Sequence, residues 1–131
     1  MAEPIRVDVW SDIACPWCYI GKRKLERGIE MFAGEADTSA VDVVFHSYEL
    51  TPDMPVGYEG TAVDFLVELK GLGRDQVEAM HEHITGVAAE VGLTYDFDTQ
   101  KPANTRKAHE VLHVAAAHGR QLETKERLLS A

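Results

Sequence analysis

The stretch Val7-Asp8-Val9-Trp10-Ser11-Asp12-Ile13-Ala14-Cys15-Pro16-Trp17-Cys18-Tyr19-Ile20-Gly21 decides the fold. Together with Ile5 and Arg6, its first part alternates apolar and polar residues as far as Trp10, the period of a half-buried strand. Ser11, Asp12, Ala14 and Pro16 make a short turn. Apolar residues then recur at Trp17, Ile20, Leu25, Ile29 and Phe32, close to helical spacing. This predicts a helix from about Pro16 to Ala33, ended by Gly34. Proline suits the first helical position, where its missing N–H would be unpaired anyway. A polar connection, Glu35 to Ala40, leads to Val41-Asp42-Val43-Val44-Phe45-His46-Ser47-Tyr48, whose β-branched and aromatic residues predict a second strand. Strand, helix, strand of these lengths is a βαβ unit with parallel strands and a right-handed crossover.

Beyond this unit, Thr51 to Gly60 is a loop rich in Pro and Gly. After it the strand signal nearly stops. Helices are expected at Ala62 to Lys70 and at Arg74 to Val91. The second carries an apolar stripe of Val77, Met80, Ile84, Val87, Ala88 and Val91, and Gly92 ends it. Leu93 to Phe97 is a short apolar segment with an extended reading. Asn104-Thr105 reads as the N-cap of a helix reaching His118, with Gly119 as its stop, and Gln121 to Ala131 begins another. The layout is an α/β chain: residues 1–60 form the βαβ part and residues 61–131 a helical part. Two strands rarely make a stable sheet alone. With its last helix running to the final residue, the chain reads as an incomplete domain.

Composition narrows the function. The 131 residues hold 13 Lys+Arg against 22 Asp+Glu, a formal net charge of -9. Binding to nucleic acid or to an anionic membrane needs clustered cations and is disfavoured. No apolar run approaches the ~20 residues of a membrane span. Met1 to Trp10 has no basic stretch followed by an apolar one, so it does not read as a signal peptide, and cytoplasm is the expected location. Cys15 and Cys18 are the only cysteines in the sequence, which rules out a disulfide-rich scaffold and a four-cysteine zinc site. A close Cys-x-x-Cys pair in a reducing compartment points to catalysis.

That pair sits where a strand meets a helix. The reactive species in disulfide exchange is the thiolate. Cys15 at the helix start would lie near free N–H groups and the positive dipole end, both of which favour ionisation. Cys15 is expected to attack and Cys18 to resolve the mixed disulfide. A half-built zinc site or two core thiols are the bland readings, and no second cysteine pair supports zinc. Lys22, Arg23, Lys24 and Arg27 follow on the helix. Lys22 could add positive potential, but a solvated face explains the run. Asp12 could assist proton transfer, and turn capping is the preferred reading. His109-Glu110-Val111-Leu112-His113 matches the H-E-x-x-H zinc-protease template. A longer form of that template needs Gly and His at positions 116 and 119, where Ala116 and Gly119 stand, so no metal is expected. His109 is read as packing on, or hydrogen-bonding to, something nearby. His81 and His83 are read as surface residues, and Trp10 and Trp17 as core or groove wall.

The run from Val7 to Gly21 resembles the DsbA-like branch of the thioredoxin superfamily, and more narrowly the FrnE type. Phe45-His46-Ser47-Tyr48-Glu49-Leu50-Thr51-Pro52-Asp53 is similar to the family's second strand and following loop. Asn104-Thr105-Arg106-Lys107-Ala108-His109 is similar to its Asn-Thr-x-x-Ala-His helix start. The resemblance implies a thioredoxin-like βαβ followed by an α-helical insertion, with the C-terminal strands of the fold missing. It implies a thiol-disulfide oxidoreductase with Cys15 as nucleophile and Cys18 as resolving thiol. Pro16, Trp17, Asp12 and His109 would support the substrate site, His109 from an insertion that faces the redox centre. No cofactor is implied, and glutathione is a candidate thiol co-substrate. Partners would be protein or small-molecule thiols and disulfides. An unpaired sheet edge would favour a homo-oligomer or a strand-completing partner. Two rival readings remain. One is a glutathione-dependent transferase or isomerase of the kappa-class or hydroxychromene-carboxylate isomerase type, which places Ser where Cys15 stands. The other is a redox-inactive interaction module.

Overall fold

The computed structural model describes residues 3–35 and 41–131, so most of the polar connection between the expected first helix and second strand lies outside the described residues. Strand β1 (Ile5–Ser11) leads into helix α1 (Pro16–Glu35), and strand β2 (Val41–Ser47) follows. Helix α1 runs through Gly34 instead of ending before it. The strands pair directly and in parallel, from Ile5 opposite Val41 to Ser11 opposite Ser47. Helices α2 (Ala62–Lys70), α3 (Arg74–Glu90), α4 (Arg106–Ala117) and α5 (Gln121–Ser130) complete the described elements.

By contacts the chain falls into two compact units, Met1–Pro52 with Thr105–Ala131, and Asp53–Asn104. In the first, α4 packs on α5 and α5 touches β2. The Gln121 side chain holds β2 at its outer edge: its amide donates to the Phe45 carbonyl at 3.0 Å and its oxygen accepts from the Phe45 N–H at 3.1 Å. It thereby satisfies backbone groups that a further strand would otherwise pair. The core of this unit includes Tyr19, Ile20, Phe45 and Leu112. The far end of the βαβ layer is open. Ile5, Val7, Leu25, Ile29, Phe32 and Val41 line an apolar groove of about 340 Å³.

In the second unit α2 packs on α3. Thr61 and Asp64 form a reciprocal cap at the start of α2: the Thr61 hydroxyl accepts from the Asp64 N–H, and the Asp64 carboxylate from the Thr61 N–H. The buried stripe of α3 keeps Val77, Ile84 and Ala88 of the expected one, but His81 takes the inward place expected of Met80, which is 38% exposed. His81 is therefore no surface residue. It stacks on Phe97 at 3.9 Å between ring centroids, and burial pushes its pKa down. Leu93 to Phe97 forms no strand. With Gly92 at φ 78°, the chain turns so that the Leu93 N–H returns to the Ala88 carbonyl and Leu93 is buried.

Candidate active site

Cys15 ends the β1–α1 turn and Pro16 opens α1. The Cys18 N–H donates to the Cys15 carbonyl at 3.1 Å, closing the first turn between the two cysteines. Both are half-buried free thiols within hydrogen-bonding reach of each other. The hydrogen bond from the Cys15 thiol is the largest cause pushing Cys18 down to about 6. Burial opposes it, and the Asp12 backbone, the Ser11 hydroxyl and the Lys125 ammonium add to it. Donating that bond, with burial and the adjacent negative charge, pushes Cys15 up. The ionisation near 6 belongs to the pair, and the proton can change sulfurs with no change in total charge.

Beneath the pair lies Asp12, which is 2% exposed. One carboxylate oxygen accepts from the Ile13 N–H at 2.7 Å, the Thr105 hydroxyl at 2.7 Å and His109 Nε2 at 2.9 Å. The other accepts from the Leu50 N–H at 2.9 Å. Burial pushes the Asp12 carboxyl up, but the Leu50 N–H, Thr105 hydroxyl, Ile13 N–H and His109 together outweigh it and hold the net value below the usual range. Asp12 is thus more than a turn cap. It joins the β1–α1 turn, the loop after β2 and the start of α4. Thr105 occupies the N-cap of α4 but makes no side-chain cap bond, since its hydroxyl goes to Asp12.

A carboxylate only accepts, so the proton on the His109 ring faces it from Nε2. His109 Nδ1 is buried with no partner. His113 turns elsewhere, its Nε2 lying 3.1 Å from Ser47 Oγ. The two imidazoles of the H-E-x-x-H stretch therefore serve different partners. Among the described residues no group of three or more His, Cys, Asp or Glu could hold a metal ion.

Trp10 meets the groove-wall reading, lining a hollow with Val9, Cys18, Leu25 and Phe45, whereas Lys22 departs from its reading and Lys125 had none. Trp10 is 64% exposed and stacks on His46, while Trp17 is 46% exposed beside the cysteines. Lys22 is not on a solvated face. It pairs with Glu26 and with Glu126 of α5, which also binds Arg23 and the Tyr19 hydroxyl. Lys125, also on α5, is 1% exposed and donates from Nζ to the Asp12 carbonyl at 3.1 Å. The sequence did hold a signal for Lys125. It stands four residues after Gln121 and three before Leu128, on the inward stripe of α5.

A family model for the DSBA-like thioredoxin domain matches residues 6–131. Among solved structures, the chain is similar to a protein described as a "probable DsbA oxidoreductase" from Streptomyces coelicolor. The two share 32% identity at a TM-score of 0.84, over 95% of this chain and 52% of that one. The chain thus spans about half the length of this relative. No curated protein matches it.

Proposed function

Since the chain belongs to the DSBA-like thioredoxin domain family, we propose that it serves thiol-disulfide exchange through Cys15 and Cys18. The observation that carries this reading is the pair of free thiols at the start of α1, in which Cys18 is held down to about 6 beside Cys15. At neutral pH such a pair holds a thiolate, the form that attacks a disulfide. The Cys15 thiolate, formed when its proton passes to Cys18, attacks one sulfur of a substrate disulfide. That bond breaks, the leaving sulfur takes a proton, and a mixed disulfide forms. Cys18 then attacks Cys15, releasing the second substrate thiol and leaving a Cys15–Cys18 disulfide. Two electrons pass from the dithiol to the substrate. Run backwards, the same steps oxidise a substrate dithiol.

Trp17, exposed beside the pair, and Pro16, which opens the helix, are proposed to meet the substrate. Asp12 and His109 hold the turn from beneath. The Val7 to Gly21 run favours the FrnE type within the family. Protein or small-molecule thiols and disulfides, glutathione among them, are the proposed partners, in the cytoplasm. The presence of Cys15 where glutathione-dependent isomerases place serine argues against that rival.

Insulin reduction by this 131-residue chain in the presence of dithiothreitol tests the reading. Loss of turnover in Cys15→Ser, with mixed disulfides trapped in Cys18→Ser, is the expected result. Turnover that survives Cys15→Ser would defeat it, and a chain inactive in every form would favour the interaction-module reading.

A further inference from the structure

Among the described residues, Lys125 is the largest side chain buried to less than 2% exposure. Its ammonium donates one bond, to the Asp12 carbonyl, and lies 5.1 Å from the centroid of the Phe45 ring. Among the described residues no carboxylate forms a salt bridge with it. Glu126, its neighbour on α5, is spent on Lys22 and Arg23. Burying an ammonium without an ionic partner is costly, because the charge leaves water. In keeping with this, burial pushes the Lys125 pKa down. The charged groups acting on it are Cys18, Asp12, Cys15 and Lys22. Asp12 already accepts four hydrogen bonds. Besides the Asp12 carboxylate, the anion beside Lys125 is the thiolate of the cysteine pair.

We propose that Lys125 is a positioning residue whose buried ammonium stabilises the Cys15–Cys18 thiolate and so disfavours the disulfide form. The inference rests on the redox reading above and deepens it. In the reduced protein, thiolate and ammonium offset each other. When the disulfide forms, both sulfurs lose their charge and the buried ammonium is left with the Asp12 carboxylate as its nearby anion. The disulfide is thereby disfavoured relative to the thiolate, and the couple becomes more oxidising.

Two measurements test this. In the first, wild type, Lys125→Met and Lys125→Arg are equilibrated with reduced and oxidised glutathione, and thiol ionisation is followed by absorbance of the thiolate. Lys125→Met is expected to raise the first thiol pKa by about one unit and to shift the glutathione equilibrium about tenfold toward the disulfide, about 30 mV. Lys125→Arg, which keeps the charge, should restore both. A lysine that only fills space would change melting but neither quantity. The second measurement needs no variant. Titration of the Lys125 side chain by NMR in wild type should show the ammonium losing its proton about tenfold more readily in the oxidised than in the reduced protein, because the coupling is reciprocal. Identical Lys125 titration in the two redox states, or an unchanged glutathione equilibrium in a folded Lys125→Met, would overturn the proposal. A wild type that never exchanges with glutathione would instead overturn the redox reading itself.

Discussion

The two ends of the β1–α1 layer are built in opposite ways. At the cysteine end the buried groups are polar: Asp12 with four donors, His109, Thr105 and Lys125. At the other end apolar side chains are left accessible, with Ile5 48% and Phe32 40% exposed around an open groove. An ordinary domain places its apolar residues inside and its ionisable ones outside. The contrast shows where stability and chemistry are concentrated in this layer. The polar end is fully connected, apart from His109 Nδ1, and fixes the turn that carries the thiols. The apolar end has no comparable constraint and tolerates change.

The largest effect should come from breaking the polar end. Asp12→Ala leaves two backbone N–H groups, a hydroxyl and an imidazole without their acceptor. Removing one member of such a buried charged network costs about 3–5 kcal/mol. Urea denaturation measures this, and a loss under 1 kcal/mol would show that water replaces the carboxylate.

Acid should weaken the same end. The Asp12 carboxyl is held below its usual 3.8, and Glu126 is lowered from 4.5 to about 2, chiefly by the Arg23 hydrogen bond. Both are depressed carboxylates, so their contribution is complete above pH 4.5 and is lost as pH falls from there toward about 2. Melting temperature followed from pH 6 to 2 should be flat at first and then fall. A fall that begins well above 4.5 would implicate other groups.

Glu126→Gln should do less, because the pair with Lys22 and Arg23 is partly exposed. About 0.2–1 kcal/mol is expected from denaturation, shrinking with added salt as a surface ion pair does. Salt-independent loss would mean that the Tyr19 contact dominates. The smallest effect on folding belongs to the open end. Phe32→Ser should change stability by no more than about 0.5 kcal/mol. If the groove mediates self-association, as its apolar lining favours, sedimentation should show weaker association in this variant. Equal association would remove the groove from consideration.

Much of this architecture was readable beforehand because it follows local rules. Alternation at Ile5 to Trp10, Pro16 at a helix start and Gly119 as a stop are short-range signals, and the elements fall within a few residues of expectation. What local pattern could not give was long-range polar pairing. Asp12 meets Thr105 and His109 across more than ninety positions, so it looked like a turn residue. His81 and Lys125 each occupy an inward helical position where an apolar residue is expected, and their polarity hid them. The Asn-Thr-x-x-Ala-His resemblance brought His109 into view, while its partner became visible only in three dimensions.

On the function proposed above, the Cys15–Cys18 pair carries a thiolate at neutral pH. The rate of iodoacetamide alkylation of the reduced protein as a function of pH tests it directly, with mass spectrometry assigning the labelled residue. The expected profile has an inflection near 6, with labelling at Cys15 in the majority because the proton can move to Cys18 as the reaction draws on it. A single inflection at the ordinary thiol value of ~8.5 would contradict the account, since the turn, the buried lysine and the neighbouring thiol would then have no effect on the chemistry.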